Sequence, residues 1–142
     1  MFSVDVVALC GELRLVGPAD VDGAPDEAFL LTVDFTGYRT VPPWWSCVDP
    51  RTRAVIGPAA YPRPSPGQPS IFHGNGLVCA PWSRGAYAEN SGPHGDWSGA
   101  TNWERVPNYT IALTIGEMVD VLYRQTRASR GRFAPLPAPS SP

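Results

Sequence analysis

Alternation of apolar and polar positions is clearest from Ala28 to Phe35. There A-F-L-L-T-V-D-F sets Phe29, Leu31, Val33 and Phe35 on one side of an extended chain, with Thr32 and Asp34 on the other. A period of two predicts a half-buried strand. Leu13 to Val16 interleaves with Glu12 and Arg14 and predicts another strand, while Val4 to Leu9 suits a strand or one or two helical turns. Gly17 to Glu27 carries Pro18, Asp20, Asp22, Gly23, Pro25 and Asp26, which is turn chemistry without a hydrophobic period. Thr36-Gly37 ends the clearest strand. Pro42-Pro43 marks an edge or a corner, because proline has no N–H for a ladder, and Trp44 to Val48 supplies the next apolar run.

Beyond Asp49 the pattern fades. Asp49 to Pro69 is rich in proline and predicts a long extended excursion, with one hairpin rung around Ala54 to Ile56. The signal returns at Ser70 to Ala80 (S-I-F-H-G-N-G-L-V-C-A), where Ile71-Phe72 and Leu77-Val78 flank Gly74-Asn75-Gly76. Asn-Gly is what a type I′ hairpin turn demands. Pro81 to Asn108 is irregular, with scattered glycines among Trp82, Tyr87, Trp97 and Trp103, and reads as a packed lid or a functional loop. Thr114 with Glu117 makes a capping box, and Ile115, Met118, Val119, Leu122 and Thr126 form one helical stripe. That helix should end among Arg124, Arg127 and Arg130, with Gly131 as the stop. The expected domain is 1–133, followed by a Pro-rich flexible tail over 134–142.

Composition narrows the function classes. The 142 residues suit one domain, and a net charge of −2 argues against a nucleic-acid partner. No stretch approaches the roughly 20 apolar residues of a membrane span, and the N-terminus lacks the basic start of a secretory signal. Cys10, Cys47 and Cys79 are too few and too scattered for a disulfide framework or a zinc site, which predicts a reducing, cytoplasmic setting with no metal or other cofactor. Cys10 and Cys47 lie in apolar sequence and are expected to be small buried hydrophobes. All 11 basic residues are arginine. A coding bias explains that, as does selection against side-chain amines.

The candidate chemistry centres on Cys79, a thiol just past a glycine turn, with His73 and Asn75 close in sequence. Asn75 is either an oxyanion donor or a turn residue. His94, in Gly92-Pro93-His94-Gly95-Asp96, either reaches over Cys79 as a base oriented by Asp96 or bonds to backbone; with Asp96 it lacks a third metal ligand nearby. The tryptophans read as core and lid rather than a ligand cage. The arginines from Arg124 to Arg132 read as a solvated helix end or as a dock for an acidic partner.

In order, Phe29 to Phe35, Tyr38 with Pro42-Pro43, Phe72-His73-Gly74-Asn75, Asn75-Gly76-Leu77-Val78-Cys79, Trp103 and Ala112-Leu113-Thr114-Ile115 resemble ubiquitin-conjugating enzymes, specifically the shorter forms of bacterial ubiquitin-like systems. Gly74 replaces the family's proline, and Asn75 serves two matches at once. The resemblance spans residues 12–128. It implies an α+β, ubiquitin-conjugating (UBC)-like fold: an antiparallel meander of about four strands backed by one main helix, with long irregular active-site loops. It also implies that Cys79 takes a ubiquitin-like protein as a thioester from an activating enzyme and passes it to an amine on a protein target, with His73 holding the turn. Two other functions fit the same residues: a non-catalytic UBC-like protein-binding module, and a thiol hydrolase using Cys79 and His94.

Overall fold

Four strands run antiparallel in chain order, β1 (Phe2–Asp5), β2 (Cys10–Gly17), β3 (Glu27–Asp34) and β4 (Trp44–Val48). They belong to a computed structural model that describes residues 1–5, 8–89, 100–105 and 114–138. β2 and β3 pair along their whole length, from Cys10 opposite Asp34 to Gly17 opposite Glu27. The expected alternation holds: Leu13, Leu15, Phe29, Leu31, Val33, Trp45 and Cys47 are buried on one face. The doubled leucine in β3 has its own reason. Leu30 faces the other way, yet it and its partner Val48 are also buried, so the centre of the sheet is covered on both sides. Cys10 departs from expectation, because its place on β2 turns it to the outer face, where it is exposed.

The remaining elements are β5 (Pro62–Pro64), β6 (Phe72–His73), β7 (Leu77–Val78), α1 (Arg84–Glu89), α2 (Ile115–Arg127) and β8 (Ser129–Arg132). α2 begins as its sequence requires. Thr114 Oγ1 accepts the Glu117 N–H at 3.2 Å, and Glu117 Oε2 accepts the Thr114 N–H at 2.8 Å. Met118, Leu122 and Thr126 are buried, and the helix packs on β2. Gly17 allows this closeness: a Cβ there would lie 2.8 Å from the Thr126 carbonyl oxygen.

Three local expectations are corrected. No strand forms around Ala54 to Ile56; a turn is followed by a 3₁₀ helix at Gly57–Ala60, and the extended piece is β5. α2 ends among the arginines as expected, at Arg127, but Gly131 is not its stop, because Ser129 to Arg132 turns away to pair with β5. The described residues within 81–108 hold α1 and a 3₁₀ helix at Ala100–Arg105, where an irregular run was expected.

The arginines at this end of the molecule meet acids of the same chain. Arg127 pairs with Asp26 at 2.8 Å and Arg124 with Asp120 at 2.9 Å, while Arg130 pairs with Asp22 and Arg63 with Asp20. Arg130 thus ties the β2–β3 loop to β8, Arg63 ties it to β5 and Arg127 ties it to α2, so these cations meet acids of their own chain. Arg132 is buried, with Nε 2.8 Å from Glu27 Oε2 and its guanidinium 4.2 Å from the Phe29 ring centroid. Residues 134–138 run against this body, where the Pro137 carbonyl accepts from Arg51 Nη2 at 2.8 Å. Among the described residues, no helix is long and apolar enough to cross a membrane.

Candidate functional site

The site is built on the β6–β7 hairpin. Phe72 pairs with Val78 and His73 with Leu77, leaving Gly74-Asn75-Gly76 as a three-residue loop. The Gly76 N–H closes it on the His73 carbonyl at 3.0 Å, and Gly76 has φ +82 whereas Asn75 stays at negative φ. The expected type I′ turn needs positive φ at both central residues, so it does not form. Burial decides the matter. Phe72 and Val78 are both in the core, which requires them to face the same way across the ladder. A two-residue loop would shift the register by one and turn one of them outward.

Cys79 follows β7 immediately, and its N–H donates to the Ile71 carbonyl at 2.7 Å. The thiol is half-buried, and loss of solvent pushes it above its ordinary pKa. All three cysteines are thiols; Cys47 is buried in the core and pushed up much further by desolvation.

The register sorts the other candidates. Ile71 faces Cys79 and His73 faces Leu77, so His73 is a diagonal neighbour of Cys79, about 7–8 Å away between Cα atoms. Asn75 sits exposed at the loop tip, and Cys79 lies past the far end of β7. At about 3.3 Å per extended residue the two backbones are roughly 10 Å apart. Asn75 therefore serves the turn at the loop tip, with the thiol at the other end of β7. His94 and Asp96 lie outside the described residues, as does Trp97. Of the other tryptophans, Trp45, Trp82 and Trp103 are buried in the core, and Trp44 is 40% exposed.

Asn75 instead lines a cavity of about 430 Å³, together with Trp44, Tyr61, Gly57, Gly76 and Gly85. Burial pushes the Tyr61 phenol up to about 12, so it stays neutral. Among the described residues no group of three or more His, Cys, Asp or Glu could hold a metal ion.

One residue near the thiol leaves almost no mark in the sequence. Gln125 of α2 extends Oε1 to the N–H of Ile71 at 3.3 Å, next to the bond that holds Cys79. Its only signal is a long neutral amide between Leu122 and Thr126, which are both buried. No family model, curated protein or solved structure matches this chain.

Proposed function

We propose that this chain is a conjugating enzyme similar to the ubiquitin-conjugating family, carrying a ubiquitin-like protein as a thioester on Cys79. The observation that supports this most is the setting of the thiol. Cys79 is half-buried on a non-helical shoulder, just after a hairpin and before a helix that packs on a four-stranded meander. A UBC-like fold has that order of elements. In the first step the Cys79 thiolate attacks the thioester carbonyl held by an activating enzyme. A new S–C bond forms, the activating enzyme's thiolate leaves, and the proton lost from Cys79 ends on that thiol. In the second step a target amine attacks the same carbonyl, an amide forms, and Cys79 leaves as thiolate while the amine's proton passes to solvent or a base.

Loss of solvent raises the Cys79 pKa, so the thiol rests protonated and gives up its proton as it reacts. The partners are therefore an activating enzyme, a ubiquitin-like protein and an amine-bearing target, and the chemistry needs no cofactor. The test is charging with the activating enzyme, ATP and the ubiquitin-like protein, read on gels with and without reductant. Wild type should give a reducible adduct, Cys79→Ala none, and Cys79→Lys a reductant-stable one. Absence of any adduct while the activating enzyme itself charges would leave a non-covalent protein-binding module.

A further inference from the structure

We propose that Gln125 is the positioning residue for Cys79, its side-chain amide taking one half of the last hairpin rung and tying the thiol's segment to α2. In an antiparallel ladder, closely spaced pairs exchange two bonds and alternate with widely spaced ones. His73 with Leu77 is one pair and Phe72 with Val78 the next, and the same register continues to Ile71 opposite Cys79, where a third would fall. Only one half of that third rung is standard: the Cys79 N–H donates to the Ile71 carbonyl at 2.7 Å. The Ile71 N–H, which a regular rung would give to the Cys79 carbonyl, donates to Gln125 Oε1 instead. The ladder accordingly ends at Val78, and Cys79 leaves it on a peptide held through Ile71 by a helix 54 positions away in sequence.

The residue type fits this task. Gln125 lies one turn beyond buried Leu122 and beside buried Thr126, so its backbone is fixed by packing while the side chain has the length to reach the hairpin. A neutral amide accepts the bond without setting a negative charge beside a half-buried thiol, where a carboxylate would oppose the thiolate. Two-residue strands have little pairing of their own, so a tie from outside supplies the order that a short hairpin lacks.

This proposal rests on Cys79 being the reacting thiol, and its main test needs no partner protein. The rate of alkylation of Cys79 by iodoacetamide is followed against pH in the full chain with Cys10→Ser, since Cys10 is exposed and Cys47 buried. Gln125→Ala frees the segment, admits water and should speed alkylation near neutral pH by roughly threefold or more, with the profile moving to lower pH. Gln125→Glu keeps the acceptor but adds charge, and should slow alkylation and move the profile the other way. A change in stability alone would not send the two variants in opposite directions. Hydrogen exchange at the Ile71 amide should quicken about tenfold in Gln125→Ala and stay slow in Gln125→Glu. Should Gln125→Ala fail to fold, Gln125→Met keeps the length without the acceptor and is expected to behave as Ala does. Profiles and Ile71 exchange matching wild type in the acceptor-less variant would overturn the proposal. Failure of wild type to charge would count against the carrier role alone.

Discussion

The four-stranded sheet and the β6–β7 hairpin are both antiparallel, yet they are held in different ways. β2 and β3 pair from end to end, and their inward side chains form the core with Trp45 and Cys47. The hairpin has two-residue strands, and its order comes from elsewhere: Phe72 and Val78 anchored in the core, Gly76 closing the loop, and Gln125 reaching in from α2. The sheet carries its own pairing, whereas the hairpin borrows its place from its neighbours. The proposed reacting thiol sits on the borrowed element. A thiol that two protein partners must reach in turn cannot lie inside the sheet, and a short hairpin left to itself would not hold it still.

This contrast predicts effects of different size in the two regions. The largest belongs to the sheet. Leu31→Ala, in a fully buried position of β3, should cost about 2–5 kcal/mol in global denaturant unfolding. Its stability loss should exceed its effect on Cys79 alkylation in the fraction that remains folded. A loss under 1 kcal/mol would mean that the sheet is not the main store of stability.

Next comes the turn. Gly76→Ala meets only ordinary contacts, at 3.7 Å or more, but must adopt φ +82. It should cost about 1–2 kcal/mol. Because Gly76 closes the loop between β6 and β7, the charge-dependent reactivity of Cys79 should change by more than the modest stability loss suggests, as read by alkylation against pH. Unchanged alkylation would show that Gln125 alone fixes the thiol.

The smallest effect is lost in acid and belongs to the end of β4. Asp49 is 2% exposed and accepts from Arg51 N–H at 2.8 Å and from Arg51 Nη2 at 3.0 Å, which pulls its carboxyl down from 3.8 to about 2. A carboxyl lowered on folding stabilises fully above its ordinary pKa, and that contribution is lost as pH falls through the folded one. Wild type should therefore outlast Asp49→Asn in thermal melts at pH 6, with the gap closing between 3.8 and about 2. A gap that persists to the bottom of that window would assign the effect to packing instead.

What could be read in advance follows the same division. The strand at Ala28 to Phe35 and the Thr114–Glu117 capping box are local patterns, because their partners are a pleat or a single turn away, and both stand in the fold. β5 and β8 left no such trace. Pro-Arg-Pro and Ser-Arg-Gly-Arg have no apolar period, and their pairing joins segments some 65 positions apart, from Pro64 to Ser129. Gly131 looked like a helix stop, yet it serves a close approach to Asp20. The Asn75-Gly76 pair signalled a turn correctly but suggested the wrong type, since the register was decided by burial of Phe72 and Val78 and not by the dipeptide. Cys79 was legible as a thiol beside a turn. Gln125 was not, because nothing in a helix pattern says which distant N–H a side chain will accept.

The lysine-free composition also takes a physical shape. Arg51, Arg63, Arg84 and Arg130 each use two guanidinium nitrogens to join separate groups, a task that a single ammonium performs poorly. Structural demand for forked donors thus stands beside coding bias and self-protection as a reason for arginine.

The central claim is that Cys79 carries an acyl group, and the most direct measurement is the intact mass of the chain after incubation with the activating enzyme, ATP and the ubiquitin-like protein. The account predicts a gain equal to one ubiquitin-like protein less one water, removed by hydroxylamine, retained in Cys10→Ser and absent in Cys79→Ala. An adduct that survives Cys79→Ala, or an unchanged mass beside a fully charged activating enzyme, would contradict it.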